Sequence, residues 1–128
     1  MTQELSLLIW SVALAFAQVV VAALGANTQV GLPKLVGNRE TLPPLTGWAG
    51  RAQRAHRNMM ESLPLFIALV LTAHLTGANT ATTIVGAQLF FWARLLYAIV
   101  YVVGIPWVRT LLWAVSVVGM VLIFTQLV

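Results

Sequence analysis

Four stretches of the chain are long and almost wholly apolar, and the polar residues gather between them. The first runs from about Leu5 to Leu24 with Gln18 as its one strongly polar residue. A loop rich in Gly, Pro and Asn follows from Gly25 to Gly50, where Pro43-Pro44 forbids a regular helix. Thr46 is placed to cap a helix beginning near Trp48, which would carry a polar face into the membrane near Met59 and run on to about Leu75. Pro64 removes one backbone donor inside it and predicts a bend near Glu61. After a short uncharged connection, His74 to Thr80, a third stretch covers about Ala81 to Val103. Gly104-Ile105-Pro106 breaks it, and a fourth runs from Arg109 to Val128. Each stretch approaches the roughly 20 residues that a helix needs to cross a bilayer. The pattern predicts one all-α membrane domain, residues 1–128, with four spans at about 5–24, 59–75, 81–103 and 109–128.

Composition sharpens this reading. Charged residues make up 8% of the chain, against roughly a quarter in a soluble domain, which marks an integral membrane protein. The net charge of +4 comes from a few arginines near the span ends, with no basic tail. That favours anionic lipid headgroups or an anionic ligand and argues against nucleic acid. Cysteine is absent, which excludes disulfides, thiolate metal sites and a cysteine nucleophile. With no Asp and two distant histidines, the sequence offers no metal site. The N-terminus lacks the basic n-region of a secretory signal, so it reads as a retained span.

The basic residues also orient the chain. All but Arg94 lie in the loop before the second span or in the Gly104–Arg109 turn. The positive-inside rule puts both loops in the cytoplasm and both termini outside.

Candidate chemistry centres on Arg51 to Pro64, RAQRAHRNMMESLP. On a helix, Arg51, Arg54, Arg57, Asn58 and Glu61 fall within about 120° of one another, while His56, Met59 and Met60 point away. Arginines snorkelling to headgroups explain Arg51 and the start of this stripe. They explain Asn58 and Glu61 poorly, since those continue the same face inward; Arg57 and Glu61, four apart, can pair. A voltage sensor is a further reading of the three-residue spacing, but the triplet precedes the apolar run. Arg94 lies about 15 Å from the end of its span, near the bilayer's middle, where a lone arginine costs on the order of 3 kcal/mol. Tyr97 and Tyr101 share its face. Arg94 either pairs structurally with Glu61 or helps to form a polar cleft open to the cytoplasm. Arg109 and Thr110 open the fourth span, where unpaired backbone donors favour an anion.

These residues resemble a known pattern. RAxRAHRNxxExxP, then Arg-x-x-Tyr-x-x-x-Tyr in the third span and an arginine at the head of the fourth, is similar to the MAPEG family, membrane-associated proteins of eicosanoid and glutathione metabolism. The loop wording looks most like the small bacterial members. The resemblance implies a four-helix protomer assembled as a homotrimer, with glutathione as co-substrate bound at subunit interfaces near the cytoplasmic face. It assigns Arg57, Asn58 and Glu61 to glutathione contacts, with Arg54 and His56 in the same motif. It adds Arg94 and Tyr101, with Tyr97 on their face, and Thr110 where some members have serine. Arg109 matches the arginine proposed to stabilise the thiolate. The first span lacks a basic residue that several eukaryotic members use, and the turn before Arg109 is one residue shorter than in prostaglandin synthases.

The expected function is therefore a glutathione-dependent transferase or peroxidase acting on a lipophilic small-molecule substrate delivered through membrane lipids. Two alternatives belong to other classes. One is a non-catalytic protein using the same cleft for lipid or a partner. The other is a small multidrug-type transporter, which the arginines and the border position of Glu61 disfavour.

Overall fold

The computed structural model describes residues 1–39 and 42–128; Glu40 and Thr41 lie outside the described residues. Helix α1 spans Gln3–Gln29, a short α2 spans Leu32–Val36, and three long helices follow: α3 Gly47–Thr76, α4 Ala81–Val103 and α5 Pro106–Thr125. Among the described residues there is no strand, and α1, α3, α4 and α5 are each long and apolar enough to cross a membrane. The protein is an integral membrane protein of all-helical class. Large side chains such as Trp10, Phe16, Leu65, Trp92, Leu111 and Phe124 are exposed around the bundle, which is unfavourable in water and expected against hydrocarbon.

The element ends follow from local chemistry. Thr2 caps α1 by accepting from the Leu5 amide. Thr80 caps α4 in a reciprocal box with Thr83. Gly77 and Gly104 close α3 and α4 in the left-handed conformation, which glycine adopts without steric cost. Pro106 opens α5 at a position where its missing N–H is no loss.

Several boundaries differ from the sequence expectation. Helix α1 continues five residues past Leu24, and α2 interrupts the expected loop. The extension is held by side chains: the Thr28 hydroxyl donates to the Gly25 carbonyl at 2.7 Å. Gln29 Nε2 donates to the Thr46 carbonyl at 2.7 Å, and its Oε1 accepts from the Thr46 amide at 3.0 Å. Thr46 does stand at the head of α3, but its side chain makes no capping bond. Helix α3 continues through Pro64 as one element, and the Ser62 hydroxyl donates to the Met59 carbonyl at 3.2 Å. Helix α5 stops at Thr125, three residues short of the expected end.

The helices pair as α4 with α5 and α1 with α3, and the two pairs join through α3–α4 and α1–α4 contacts. The core lies between them: Met59, Phe66, Val70, Phe90 and Ile123 are fully buried. Phe66 and Phe90 stack across the α3–α4 seam with ring centroids 3.9 Å apart. Small residues set the closest approaches, with Gly86 of α4 against Gly119 of α5 and Gly25 of α1 against Ala49 of α3. This is how membrane helices gain packing where no hydrophobic effect drives them together.

A second polar contact ties the opposite end of the bundle. Glu4 is 2% exposed and accepts from the Asn79 side-chain amide and, at 3.0 Å, from the Thr83 hydroxyl. The Thr80 hydroxyl donates to Gln126 Oε1 at 3.1 Å. These bonds join the start of α1, the α3–α4 turn, the head of α4 and the chain just past α5.

Candidate functional site

Arg94 sits on α4 nine residues before Val103, about 14 Å along the helix. It is 1% exposed, and its Nη2 donates to Asn58 Oδ1 of α3 at 2.8 Å. Its Nε and Nη1 are buried with no hydrogen-bond partner. Glu61 does not supply the structural pair that the sequence allowed: it lies exposed on α3, and a neutral amide, Asn58, takes the contact instead. The reason is register, since Asn58 is one turn nearer the arginine end and faces α4 directly. A buried guanidinium with unmet donors costs several kcal/mol unless something else fills them.

From Arg94 a continuous series of side chains leads to α5. Arg94 Cζ lies 4.3 Å from the centre of the Tyr97 ring. Tyr97 meets Tyr101 edge to face, with centroids 5.5 Å apart and planes at 66°. Arg109 Cζ then lies 4.5 Å from the Tyr101 ring centre. Both cation–ring contacts are in the attractive range. The spacing of Arg94, Tyr97 and Tyr101 puts them on one face of α4. The Gly104–Pro106 turn reverses the chain so that Arg109, in the first turn of α5, returns beside Tyr101. Arg51 secures this corner: its Nε donates to the Val102 carbonyl at 2.8 Å, in the last turn of α4, where a cation suits the helix dipole.

Beside this series lies a cavity of about 260 Å³ lined by Asn58, Tyr97, Tyr101, Arg109, Thr110 and Trp113. The Thr110 hydroxyl donates to the Pro106 carbonyl at 3.1 Å, which leaves its oxygen free to accept. Trp113 was not among the sequence candidates, although it follows Arg109 by four residues and so shares its face. The cavity offers one exposed-side guanidinium, two phenols, an amide and an indole. That combination suits an anion with an organic body.

The remaining candidates stand apart from this cavity. Arg54, Arg57 and Glu61 are exposed along α3. His56 is half-buried with its Nδ1 lacking a partner, and it projects about 160° around α3 from Asn58. One protomer therefore gathers Asn58, Arg94, Tyr97, Tyr101, Arg109 and Thr110, while Arg54, His56, Arg57 and Glu61 lie outside the cavity lining. Among the described residues, no group of three or more His, Asp or Glu comes together as a metal site would require.

Fold and site together define a class: all-helical membrane proteins with four membrane-length helices and a cationic, tyrosine-lined cleft beside them. The MAPEG family model matches residues 6–128, nearly the whole chain, and the chain belongs to that family. Membership supports a glutathione-related function in a membrane. No curated protein and no solved structure matches the chain at a significant level.

Proposed function

We propose that the protein is a membrane-bound, glutathione-dependent transferase or peroxidase acting on lipophilic electrophiles. The observation that carries this reading is the buried Arg94, with two donor nitrogens unmet, joined through Tyr97 and Tyr101 to Arg109 at the edge of a cavity. Glutathione offers two carboxylates and a thiol. Guanidinium groups recognise carboxylates through paired hydrogen bonds, and a neighbouring cation stabilises a thiolate. In this reading Asn58 and Arg94 hold the peptide, Tyr97 and Tyr101 pack against its body, and Arg109 lowers the thiol pKa. The thiol proton leaves to water. The thiolate sulfur then forms a bond to the electrophilic carbon as the leaving group departs with its electron pair. The enzyme needs no cysteine of its own, and the chain has none.

Arg54, His56, Arg57 and Glu61 enter this proposal through a second and a third copy of the chain. They are exposed on α3 outside the lining of the protomer's own cavity, so a homotrimer in which neighbouring α3 helices meet would bring them to a shared site. The site would open to the cytoplasm of a bacterial inner membrane, with both termini on the other side, and the lipophilic substrate would enter from the bilayer.

Equilibrium binding of glutathione to the detergent-purified protein tests the reading. Wild type should bind, Arg94→Ala should lose at least tenfold in affinity, and Arg109→Ala should lose conjugation of 1-chloro-2,4-dinitrobenzene. Absence of binding at millimolar glutathione would rule it out, as would unchanged activity in Arg109→Ala.

A further inference from the structure

A second cavity, of about 360 Å³, lies on the other side of the α3–α4 seam, between α1, α3 and α4. It is in the size range of small-molecule pockets. Leu14 and Val21 of α1, Ala55 of α3, and Leu95, Ile99 and Val102 of α4 form its walls. On α4 these wall positions centre roughly 140° away from the Arg94–Tyr97–Tyr101 face, and none of the residues lining one cavity lines the other. Its lining contains one polar residue, Gln18, and no charged one. Gln18 is 8% exposed and its Oε1 is buried with no hydrogen-bond partner.

An unmet amide oxygen in an apolar groove is costly. It lies about 22 Å from the start of α1 and about 17 Å from its end. Within the expected span, Leu5 to Leu24, it lies about 9 Å inside the nearer border. With no charge in the lining, a phosphate or carboxylate would have no partner there. A hydroxyl both donates and accepts, so it satisfies an amide in either orientation of its O and N atoms. We propose that this groove binds a neutral, single-chain apolar alcohol, its hydroxyl on the Gln18 amide and its chain along α1 and α4. This site is independent of the arginine cleft and does not rest on the glutathione reading.

The test uses the full-length protein in nanodiscs and a diazirine-bearing hexadecanol, beside the methyl ether of the same probe. After irradiation, peptide mapping should place the alcohol on the segments 14–21 and 95–103. The alcohol should label these roughly fivefold more than the ether, the ratio expected for one net hydrogen bond. Gln18→Leu keeps the groove apolar and similar in volume, and it should bring the alcohol down to the level of the ether. Equal labelling by the two probes in wild type, labelling confined to other segments, or a Gln18→Leu variant with the preference intact would each overturn the proposal. So would an adduct of two chains from benzoylphenylalanine placed at Ile99, because a second copy of the protein would then fill the groove. The wild-type comparison stands by itself if Gln18→Leu fails to fold.

Discussion

Arg94 is the residue at which stability and function pull in opposite directions. Its guanidinium is buried, with one hydrogen bond to Asn58 and two nitrogens unserved. Replacing a poorly compensated buried charge with an apolar side chain is often neutral or stabilising by 1–4 kcal/mol. Arg94→Leu should therefore keep or raise the melting temperature in detergent while abolishing glutathione binding. A large fall in melting temperature with binding retained would mean that Arg94 serves the fold and not a ligand. Asn58 belongs to the same argument, since it is the side chain that fixes where the guanidinium points. The sequence put Arg94 near mid-membrane and put the tyrosines on its face by spacing alone. It left open whether Glu61 or a cleft answers the charge, because helical periodicity sets the direction of a side chain but not which facing residue it meets across a seam. Trp113 shares the Arg109 face by spacing and Gln18 is the one strongly polar residue of its span, but neither fact says which residues stand opposite, so their places in the two cavities were not legible.

At the level of helices, the α4–α5 crossing depends on two glycines. A Cβ on Gly86 would lie 2.5 Å from the Gly119 carbonyl oxygen and 2.8 Å from Ile123 Cγ1. A Cβ on Gly119 would lie 2.5 Å from the Gly86 carbonyl oxygen and 2.9 Å from the Phe90 nitrogen. Backbone atoms cannot step aside as a flexible side chain can, so either substitution forces the helices apart. Gly86→Ala should cost about 1–3 kcal/mol in a denaturing-detergent titration, as overpacking does. Gly37→Ala, whose added carbon would meet nothing closer than 3.6 Å, should change little and serves as the control. The number and order of the long helices were legible from runs of apolar residues, and the Gly104–Pro106 break was legible as a turn. The extent of α1 was not. Asn27 and Thr28 are weak helix formers, and the bonds that keep the last turn wound reach partners as far off as Thr46.

Taken as a whole, the molecule has a polar contact at each end, and from one of them the arginine–tyrosine series reaches inward to Arg94. The arginine end holds Arg51 on Val102 and the Arg94–Arg109 series; the opposite end holds Glu4 among Asn79 and Thr83. Thr83 and Tyr101 are about 27 Å apart along α4, so the two ends are separable in experiment. Glu4→Leu leaves the Asn79 side-chain amide without its acceptor and the Thr83 hydroxyl with only the Thr80 carbonyl. It should lower stability by about 1–3 kcal/mol and leave glutathione affinity unchanged. A loss of affinity equal to that of Arg94→Ala would show that the far end sets the geometry of the cleft. Buried carboxylates invite functional readings, and here the partners are all hydrogen-bond donors that knit helix ends together.

The paired bonds between Gln29 and Thr46 have a consequence for how the chain tolerates change. They close the segment between α1 and α3 at its base, so α3 begins at the same place whatever that segment contains. Lengthening a loop whose ends are already held costs only about 0.6 kcal/mol per doubling. The region is thus a natural port for inserted sequence, an epitope or a reporter domain, through which the protein could be watched without disturbing either cavity.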